Sequence, residues 1–276
     1  MSILSYVFLF LKGIVFGVAN IIPGVSGGTM AVVMGIYDRL VEAIGGVLTD
    51  GKKRVSHILF LFVLGLGAIA GLKGLAPIIT YSLDHHYELT MLFFMGLITG
   101  SFPAVLKLSG IKKLTTADMV ALSVGIVLVL VLGANEGAKE NARTMADINT
   151  AKLIISGILA GGAMIVPGVS GSLIMVLLGV YPVVLAAVDD SDYKLLAIFA
   201  IGVGLGIVLF SLLMRVLLKH ASNVTHSFIF GLVGASVVIL FSGFPEGELS
   251  WLIGGATFVV GAVIAFLSGS SEKTSS

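Results

Sequence analysis

The sequence predicts an all-α integral membrane protein made of two repeats with inverted topology, each a broken or re-entrant helical hairpin followed by three transmembrane helices. Three observations predict this fold. Hydrophobic residues make up 57% of the 276 positions and charged residues 11%, which leaves too few polar groups to cover a soluble globule. Apolar segments long enough to cross a bilayer recur along the chain. The segment 13–43 recurs as 157–187.

The elements follow from the apolar segments, which polar joints separate. We predict helices at 3–22, 29–48, 57–83, 88–106, 115–133, 151–166, 172–188, 195–218, 226–243 and 250–268. They form a single membrane domain, 1–276, without a soluble appendage of domain size. Its predicted parts are repeat 1 at 12–133 with its hairpin at 12–48, repeat 2 at 151–268 with its hairpin at 151–188, and an extracytoplasmic linker at 134–150.

The hairpins are predicted from the letters PGVSG, which occur without a gap at 23–27 and again at 167–171. Proline lacks a backbone donor and its ring clashes with the preceding helical turn, while glycine adopts backbone angles that other residues avoid. A continuous helix is therefore not expected, and two half-helices should meet at a glycine-rich tip. The backbone groups freed there must be buried in protein or line a wet cavity.

The topology follows from the number of times that each repeat crosses the membrane. A hairpin returns the chain to its starting side, and three spans then leave it on the other side, so the second repeat enters from the opposite face. On this count, 11 of the 16 Lys and Arg residues lie on the side of the N-terminus and four on the other, with Lys73 inside a span. Because basic residues concentrate on the cytoplasmic side, we expect both termini in the cytoplasm.

The two tips are the first candidate site, because helix N-termini and hydroxyls donate to anions and glycine lets an anion approach the backbone. If the hairpins enter from opposite faces, the tips meet near the bilayer midplane, where such transporters place their substrate. The candidate residues are Pro23, Gly24, Ser26, Gly27, Gly28, Thr29, Pro167, Gly168, Ser170, Gly171 and Ser172. The alternative is tight helix crossing through small residues, with each serine capping its own helix.

Charges near or within the apolar segments form a second set of candidates. Lys73 could pair with a phosphate or extend to the interface. Arg39, with Asp38 and Glu42 beside it, could anchor the helix by local ion pairs or contact a headgroup on the cytoplasmic side. Arg215, near the end of its span, is typical of an interfacial anchor and is a third phosphate candidate.

Several functions are excluded or disfavoured. The net charge of +1 gives no basic field for nucleic acid, and the absence of cysteine excludes disulfide and thiolate chemistry. No spacing of His, Asp and Glu resembles a metal site, and no nucleotide-binding motif is present, so we expect no metal or cofactor. Small residues at 202–206 could serve an oligomer or internal packing equally well.

The segments ANIIPGVSGGTMAVVMGIYDRL, FFMGLITGSFP and AMIVPGVSGSLIMVLLGVY together resemble the PopT polyprenyl-phosphate transporter family over essentially the whole chain. The resemblance implies a bacterial cytoplasmic-membrane protein that is not an enzyme. It implies that the protein returns undecaprenyl phosphate, the C55 lipid carrier of cell-wall synthesis, from the outer to the cytoplasmic leaflet. It carries over to 23–29 and 167–172 only. Coupling to H+ or Na+ is expected because an anion moves inward against the membrane potential, with Asp38 and Glu42 as candidate proton sites.

Two rivals stay open. An undecaprenyl-pyrophosphate phosphatase has a similar Pro-Gly-x-Ser motif, but glycine follows the motif serine here where that family has arginine, and both hairpins lack internal carboxylates. A channel or exchanger for a small anion would use the same half-helix ends. Phosphate release would identify the first rival and ion flux without lipid the second.

Overall fold

The computed structural model describes residues 3–22, 25–111, 113–134, 149–245, 247 and 250–270. The described residues form twelve helices and no strand. In chain order the helices are α1 (Ile3–Ala19), α2 (Gly27–Val33), α3 (Tyr37–Thr49), α4 (Arg54–His85), α5 (Tyr87–Ser109), α6 (Thr116–Gly133), α7 (Thr150–Ile165), α8 (Gly171–Leu177), α9 (Tyr181–Asp189), α10 (Tyr193–His220), α11 (Ser222–Leu240) and α12 (Ser250–Ser270). The predicted linker falls almost entirely outside the described residues.

Six helices, α4, α5, α6, α10, α11 and α12, are long and apolar enough to cross a membrane, and a seventh span is added if the bent pair α8 and α9 counts as one. They are the six spans that the sequence predicts. Their outer faces carry large apolar side chains that are mostly exposed, for example Phe62 at 60%, Val127 at 58% and Ile201 at 60%. Continuous apolar surface of this kind is stable in lipid and not in water. The all-α membrane fold is thereby confirmed.

The helices pack in pairs through small residues. In the first half α1 packs along α4, and in the second half α7 packs along α10. A Cβ added to Gly17 would lie 2.2 Å from the carbonyl oxygen of Ala68, and one added to Gly161 would lie 2.2 Å from that of Val203. The backbones of each pair therefore approach so closely that only glycine fits, which is how membrane helices gain packing contact without a hydrophobic driving force.

Helices of one half also pack on helices of the other half. The second span of the first half, α5, packs on α12 of the second half, and its counterpart α11 packs on α6 of the first half. Reciprocal contacts of this kind arise when two similar units face each other across a two-fold axis. The opposite orientation of the halves in a bilayer stays a prediction.

Each predicted hairpin contains one break more than expected. The apolar segments 29–48 and 172–188 were predicted as continuous helices, but α2 and α8 end after seven residues each, and α8 meets α9 at 109°. The cause is the same in both halves. Gly35 and Gly179 adopt left-handed backbone angles, with φ of 69° and 68°, and the next amide donates back across the helix end. This is the Schellman stop signal, which glycine permits at almost no steric cost.

Candidate functional site

The structure brings the two tips together. We call the described residues 25–29 the first tip and 167–172 the second tip. The backbone N–H of Gly168 donates to the hydroxyl oxygen of Thr29 at 2.8 Å. A Cβ added to Gly28 would lie 3.1 Å from the carbonyl oxygen of Ile165 and 3.3 Å from the Cα of Pro167. Glycine at position 28 thus lets the first tip lie directly against the backbone of the second.

The first tip is closed and internally bonded. Ser26 caps α2, because its hydroxyl accepts from the backbone N–H of Thr29 at 3.1 Å, and the two hydroxyls lie 2.9 Å apart. Thr29 is fully buried and Ser26 is 7% exposed. The serine capping that the sequence analysis named as an alternative therefore occurs at this tip. A ligand could reach these hydroxyls only after the tips separate.

The second tip is more open. Ser170 precedes α8 but makes no side-chain cap, and its hydroxyl instead lies 2.7 Å from that of Ser172. Gly168, Ser170, Gly171 and Ser172 are all half-buried. Hydroxyls that are bonded only to each other at a half-buried position can exchange partners with a ligand at little cost.

A small cavity of about 10 Å³ lies beside the second tip and has room for about one water molecule. Its lining combines backbone and hydroxyls of the second tip with apolar side chains from α6 and one serine of α11. The lining residues are Val129, Leu132, Gly133, Gly168, Ser170, Leu173, Ser236 and Ile239. Access for a larger anion would require this cavity to widen, and one of its walls is α6, whose opposite face carries exposed apolar side chains.

The chemistry that the tips offer is neutral hydrogen bonding. Amides and hydroxyls replace the water shell of an anion without bringing a charge, and α2 and α8 have only seven residues each, so their dipoles are weaker than those of full-length helices. No group of three or more His, Asp or Glu side chains suited to a metal ion is found in the part of the chain that the structure describes.

The predicted charges lie elsewhere, at one end of the helix bundle. We call this region the charged end: Asp38, Arg39, Glu42, Lys53, Arg215 and His226. The Arg39 guanidinium donates to the Glu42 carboxylate at 3.2 Å and to the Ser56 hydroxyl at 3.0 Å, and it lies 5.6 Å from the centre of the Phe60 ring. Lys53 approaches Glu42 at 4.0 Å. Arg39 and Glu42 therefore form the local ion pair that the sequence analysis offered as one interpretation.

Helix α3 lies at the centre of the charged end and contacts both α4 and α10. Arg215 of α10 donates to the Thr49 hydroxyl. His57 of α4 is completely buried against Gly46, and neither of its ring nitrogens has a hydrogen-bond partner among the described residues. Arg215 was a candidate from the sequence, but its Thr49 partner and the burial of His57 were not predicted, because contacts between α3, α4 and α10 leave no periodic signal.

Asp38 joins the two halves of the molecule. Its Oδ2 lies 3.3 Å from Nε2 of His226, at the start of α11. The residues that match Asp38, Arg39 and Glu42 in the second repeat are Pro182, Val183 and Ala186, so α9 carries no comparable charges. The first hairpin thus supplies Asp38, Arg39 and Glu42 to the ion contacts of the charged end, and α9 has no charge at the matching positions.

Among the described residues outside the six long spans, two groups on or beside α3 have shifted pKa values. Burial, helped by the neighbouring Asp38 carboxylate, raises the pKa of the Tyr37 hydroxyl, which stays a neutral phenol. The backbone N–H groups of Lys53 and Lys52 donate to the exposed Asp50 carboxylate and lower its pKa.

Lys73 is not part of either cluster. It is exposed on α4, two residues beyond Gly71, which packs on α1. It makes no hydrogen bond or ion pair with the residues that the structure describes, including those of the two tips. The structure therefore groups the predicted residues into the joined tips, the charged end and an isolated Lys73. Pro23 and Gly24 lie outside the described residues.

The sequence reasoning missed Ser236 and His226. Ser236 borders the cavity from α11, and its hydroxyl donates to its own helix at Val233. Serine in an apolar span is common, so no local pattern marks it. His226 was placed at a span end, and its contact with Asp38 is visible only in the folded structure.

Comparison with known proteins places the chain in a family. The family model described as "VCA0040-like: Undecaprenyl phosphate translocase-like" matches residues 16–251. A protein named "Polyprenyl-phosphate transporter" from Staphylococcus aureus is 29% identical over 269 residues, which are 94% of either chain. One of the same name from Vibrio cholerae is 34% identical over 243 residues, 83% of this chain and 76% of the relative. No solved structure matches the chain.

Proposed function

Because the chain belongs to the undecaprenyl phosphate translocase-like family, we propose that it is a membrane transporter of polyprenyl phosphate and not an enzyme. Both relatives carry the name of polyprenyl-phosphate transporters and align along most of their length. The six membrane-spanning helices fit that role. The finer proposal is a translocase that returns undecaprenyl phosphate from the outer to the cytoplasmic leaflet of the bacterial inner membrane for reuse in envelope polymer synthesis.

The observation that carries the proposed site is the hydrogen bond from Gly168 to Thr29. It joins the two copies of one motif at the point where the halves of the molecule meet. In our proposal this contact is the closed gate, and a phosphate oxygen takes the place of the Thr29 hydroxyl when the tips part. The second tip, with its half-buried hydroxyls and neighbouring cavity, then supplies the first donors to the phosphate. The polyprenyl chain stays in the lipid outside.

We propose alternating access between two inverted repeats as the mechanism. The charged end then faces the cytoplasm, as the distribution of Lys and Arg favours, and both termini lie there. Arg39 and Arg215 are available to receive the phosphate at this end after exchanging their present partners, whereas Lys73 would act on the far side. Inward movement of an anion opposes an inside-negative potential by about 2.3 kcal/mol per charge per 100 mV, which is why coupling to H+ or Na+ forms part of the proposal.

One observation favours a second candidate, a small-anion exchanger. The cavity beside the second tip has room for about one water molecule, closer to the size of a small ion than to that of a lipid headgroup. A phosphatase is less well supported, since the described residues of both tips include no arginine and no carboxylate to assist hydrolysis.

The test is leaflet-resolved accessibility of undecaprenyl phosphate in proteoliposomes, for the natural protein and for Thr29→Val. The variant removes the hydroxyl but keeps the shape, so it leaves the Gly168 amide without its acceptor. Alternating access needs the closed contact between the tips as well as the open state, so we expect the natural protein to accelerate equilibration between leaflets and Thr29→Val to lose about tenfold of that rate.

Thr257→Val is the matched control, because Thr257 is half-buried on α12, away from both tips, and its hydroxyl donates to its own helix at Ile253. Its rate should equal that of the natural protein. If the natural protein moved chloride or inorganic phosphate but no lipid, the exchanger would replace our proposal. Release of phosphate from the pyrophosphate lipid would instead identify a phosphatase.

A further inference from the structure

The hydrogen-bond partners of the His226 ring indicate which of its nitrogens carries a hydrogen and whether its contact with Asp38 needs a proton. Nδ1 of His226 lies 2.8 Å from the backbone carbonyl oxygen of Ser222. The Ser222 hydroxyl also lies near Nδ1, at 3.3 Å, but the carbonyl oxygen is closer and only accepts hydrogen bonds, so Nδ1 carries a hydrogen. If the imidazole is neutral, its other nitrogen, Nε2, then has a lone pair and no hydrogen.

That lone pair would point at the Asp38 carboxylate, because Nε2 and Oδ2 are 3.3 Å apart. Two acceptors at this distance repel each other, and a hydrogen bond forms only if one proton lies between them. The proton can belong to an imidazolium facing a carboxylate or to a carboxylic acid facing a neutral imidazole. In both cases the closed contact holds one proton more than a neutral histidine and an ionised aspartate hold apart.

We propose that Asp38 and His226 form a proton-binding site that latches the two halves of the molecule at the charged end. Asp38 lies on α3 of the first half and His226 on α11 of the second. The latch closes when it holds the proton and opens when it loses it. The Asp38 side chain is 60% exposed and that of His226 is 11% exposed, so the proton has a route to water through Asp38.

The surrounding elements carry other titratable groups, and several of these have partners of their own. Helix α11 packs on α5, α6 and α10, and α3 packs on α2, α4 and α10. Asp118 of α6 accepts from Thr115, and His220 of α10 contacts the carbonyl of its own Val216. Lys107 of α5 also has an interaction of its own. The remaining groups are Tyr37, Arg39 and Glu42 on α3, Arg54, His57, Lys73, Tyr81, Asp84 and His85 on α4, Tyr87 and Glu88 on α5, and Tyr193, Lys194, Arg215 and Lys219 on α10, while α2 carries none.

Two of these groups bear most directly on the latch. The Arg39 charge is matched by Glu42, and the Arg215 guanidinium is bound to Thr49. Among the described residues, the groups within hydrogen-bond distance of the His226 ring are the Asp38 carboxylate and the Ser222 carbonyl and hydroxyl. The proton of the latch therefore depends on Asp38 and His226 and on no third acid or base in contact with the ring.

The proposal can be tested by a distance measurement that needs no substrate. The natural chain contains no cysteine, so spin labels can be attached at Leu48→Cys on α3 and Asn223→Cys on α11, both of which are exposed. In proteoliposomes, electron spin resonance would compare the distance distribution at about pH 5.5 and about pH 8.5, on either side of the ordinary histidine range. We expect the ratio of separated to latched molecules to rise about tenfold at the higher pH.

Variants of His226 separate the latch from a general effect of pH. Glutamine at position 226 donates an amide hydrogen at any pH, so His226→Gln should stay latched at both values. His226→Ala has no donor and should be separated at both. His220→Gln is the matched control, since His220 has no acidic partner among the described residues, and it should respond as the natural sequence does.

The proposal is overturned if the natural sequence shows one distance distribution at both pH values, or if His226→Ala still responds to pH. It rests on the proposed function only in assuming that the charged end opens during transport. The latch and the proposed transport of polyprenyl phosphate can fail separately. A protein that moves no polyprenyl phosphate but shows the pH-dependent distances would keep the latch and lose the lipid substrate, whereas lipid transport with fixed distances would do the reverse.

Discussion

The two tips carry the same five letters and are built differently. The first is buried, capped by its own serine and bonded to its partner, while the second is half-buried and borders a cavity. The letters that follow the motif account for the difference. Gly28 and Thr29 in the first repeat correspond to Ser172 and Leu173 in the second. The duplicated motif breaks the helix in both halves. The two residues after the motif determine which tip is buried and bonded to the other, and which tip is half-buried and borders the cavity.

The comparison extends to the helices that follow. Helix α3 carries Asp38, Arg39 and Glu42 and contacts α4 and α11 through Arg39 and Asp38, whereas α9 is apolar at the corresponding positions. A protein with two equal halves would have equal surfaces on both sides of a membrane. The two hairpins of this molecule differ in charge, because α9 has apolar residues where α3 has Asp38, Arg39 and Glu42.

The largest expected effect comes from filling the space at Gly28. In Gly28→Val the Cβ alone would lie 3.1 to 3.3 Å from backbone atoms of the second tip, and the two methyl groups would come closer still. Backbone cannot rotate away as a side chain can, so we expect about 3 kcal/mol of destabilisation and at least a tenfold loss of lipid transport. Thermal unfolding in detergent and the leaflet assay would measure the two effects.

The matched change in the other half is Ser172→Val, at a half-buried position with one hydroxyl contact. It should cost less than half as much stability as Gly28→Val. Gly65→Val provides the control for adding a side chain to a membrane helix, because a Cβ there would meet nothing within 4 Å. Equal losses for Gly28→Val and Ser172→Val would show that the tips are equivalent, contrary to our comparison.

The sequence predicts the large elements of this molecule and misses the contacts between them. The six spans appear within a few residues of their structural bounds, because each is a long apolar run with polar ends. The break at the tips was predicted from proline and glycine together. The second break, at Gly35 and Gly179, was missed because a lone glycine in an apolar run is common in membrane helices.

For the candidate site, chemistry was predictable and geometry was not. Hydroxyls and glycines at the tips were identified from composition, but only the fold could show that Thr29 meets Gly168 from the other half. The pairing of Asp38 with His226 is equally invisible, since it spans two repeats and no spacing rule connects them. Lys73 is the opposite case. A charge inside an apolar run suggested a phosphate site, but the structure leaves Lys73 exposed on α4.

A smaller effect is expected at the second break, and here the two halves should behave alike. Gly35→Ala and Gly179→Ala each force a side chain into a left-handed backbone, at φ of 69° and 68°. We expect each to cost about 1 to 2 kcal/mol of stability. Gly65→Ala, in the interior of α4 and clear of neighbours, should be neutral or slightly stabilising. A large difference between the first two variants would mean that one half holds its bend by contacts other than the glycine.

The smallest effect should separate the two serines. Ser26→Ala removes a side-chain cap and the hydroxyl partner of Thr29 at a buried position, which should cost about 1 kcal/mol. Ser170→Ala removes a hydroxyl that caps nothing and contacts only Ser172, so the cost to stability should stay near 0.5 kcal/mol. Transport should show the opposite order if the second tip binds phosphate first, because the Ser170 hydroxyl is then a donor to the ligand. Unfolding and leaflet assays on the same two variants would decide it, and a parallel ranking in both would assign the serines a structural role alone.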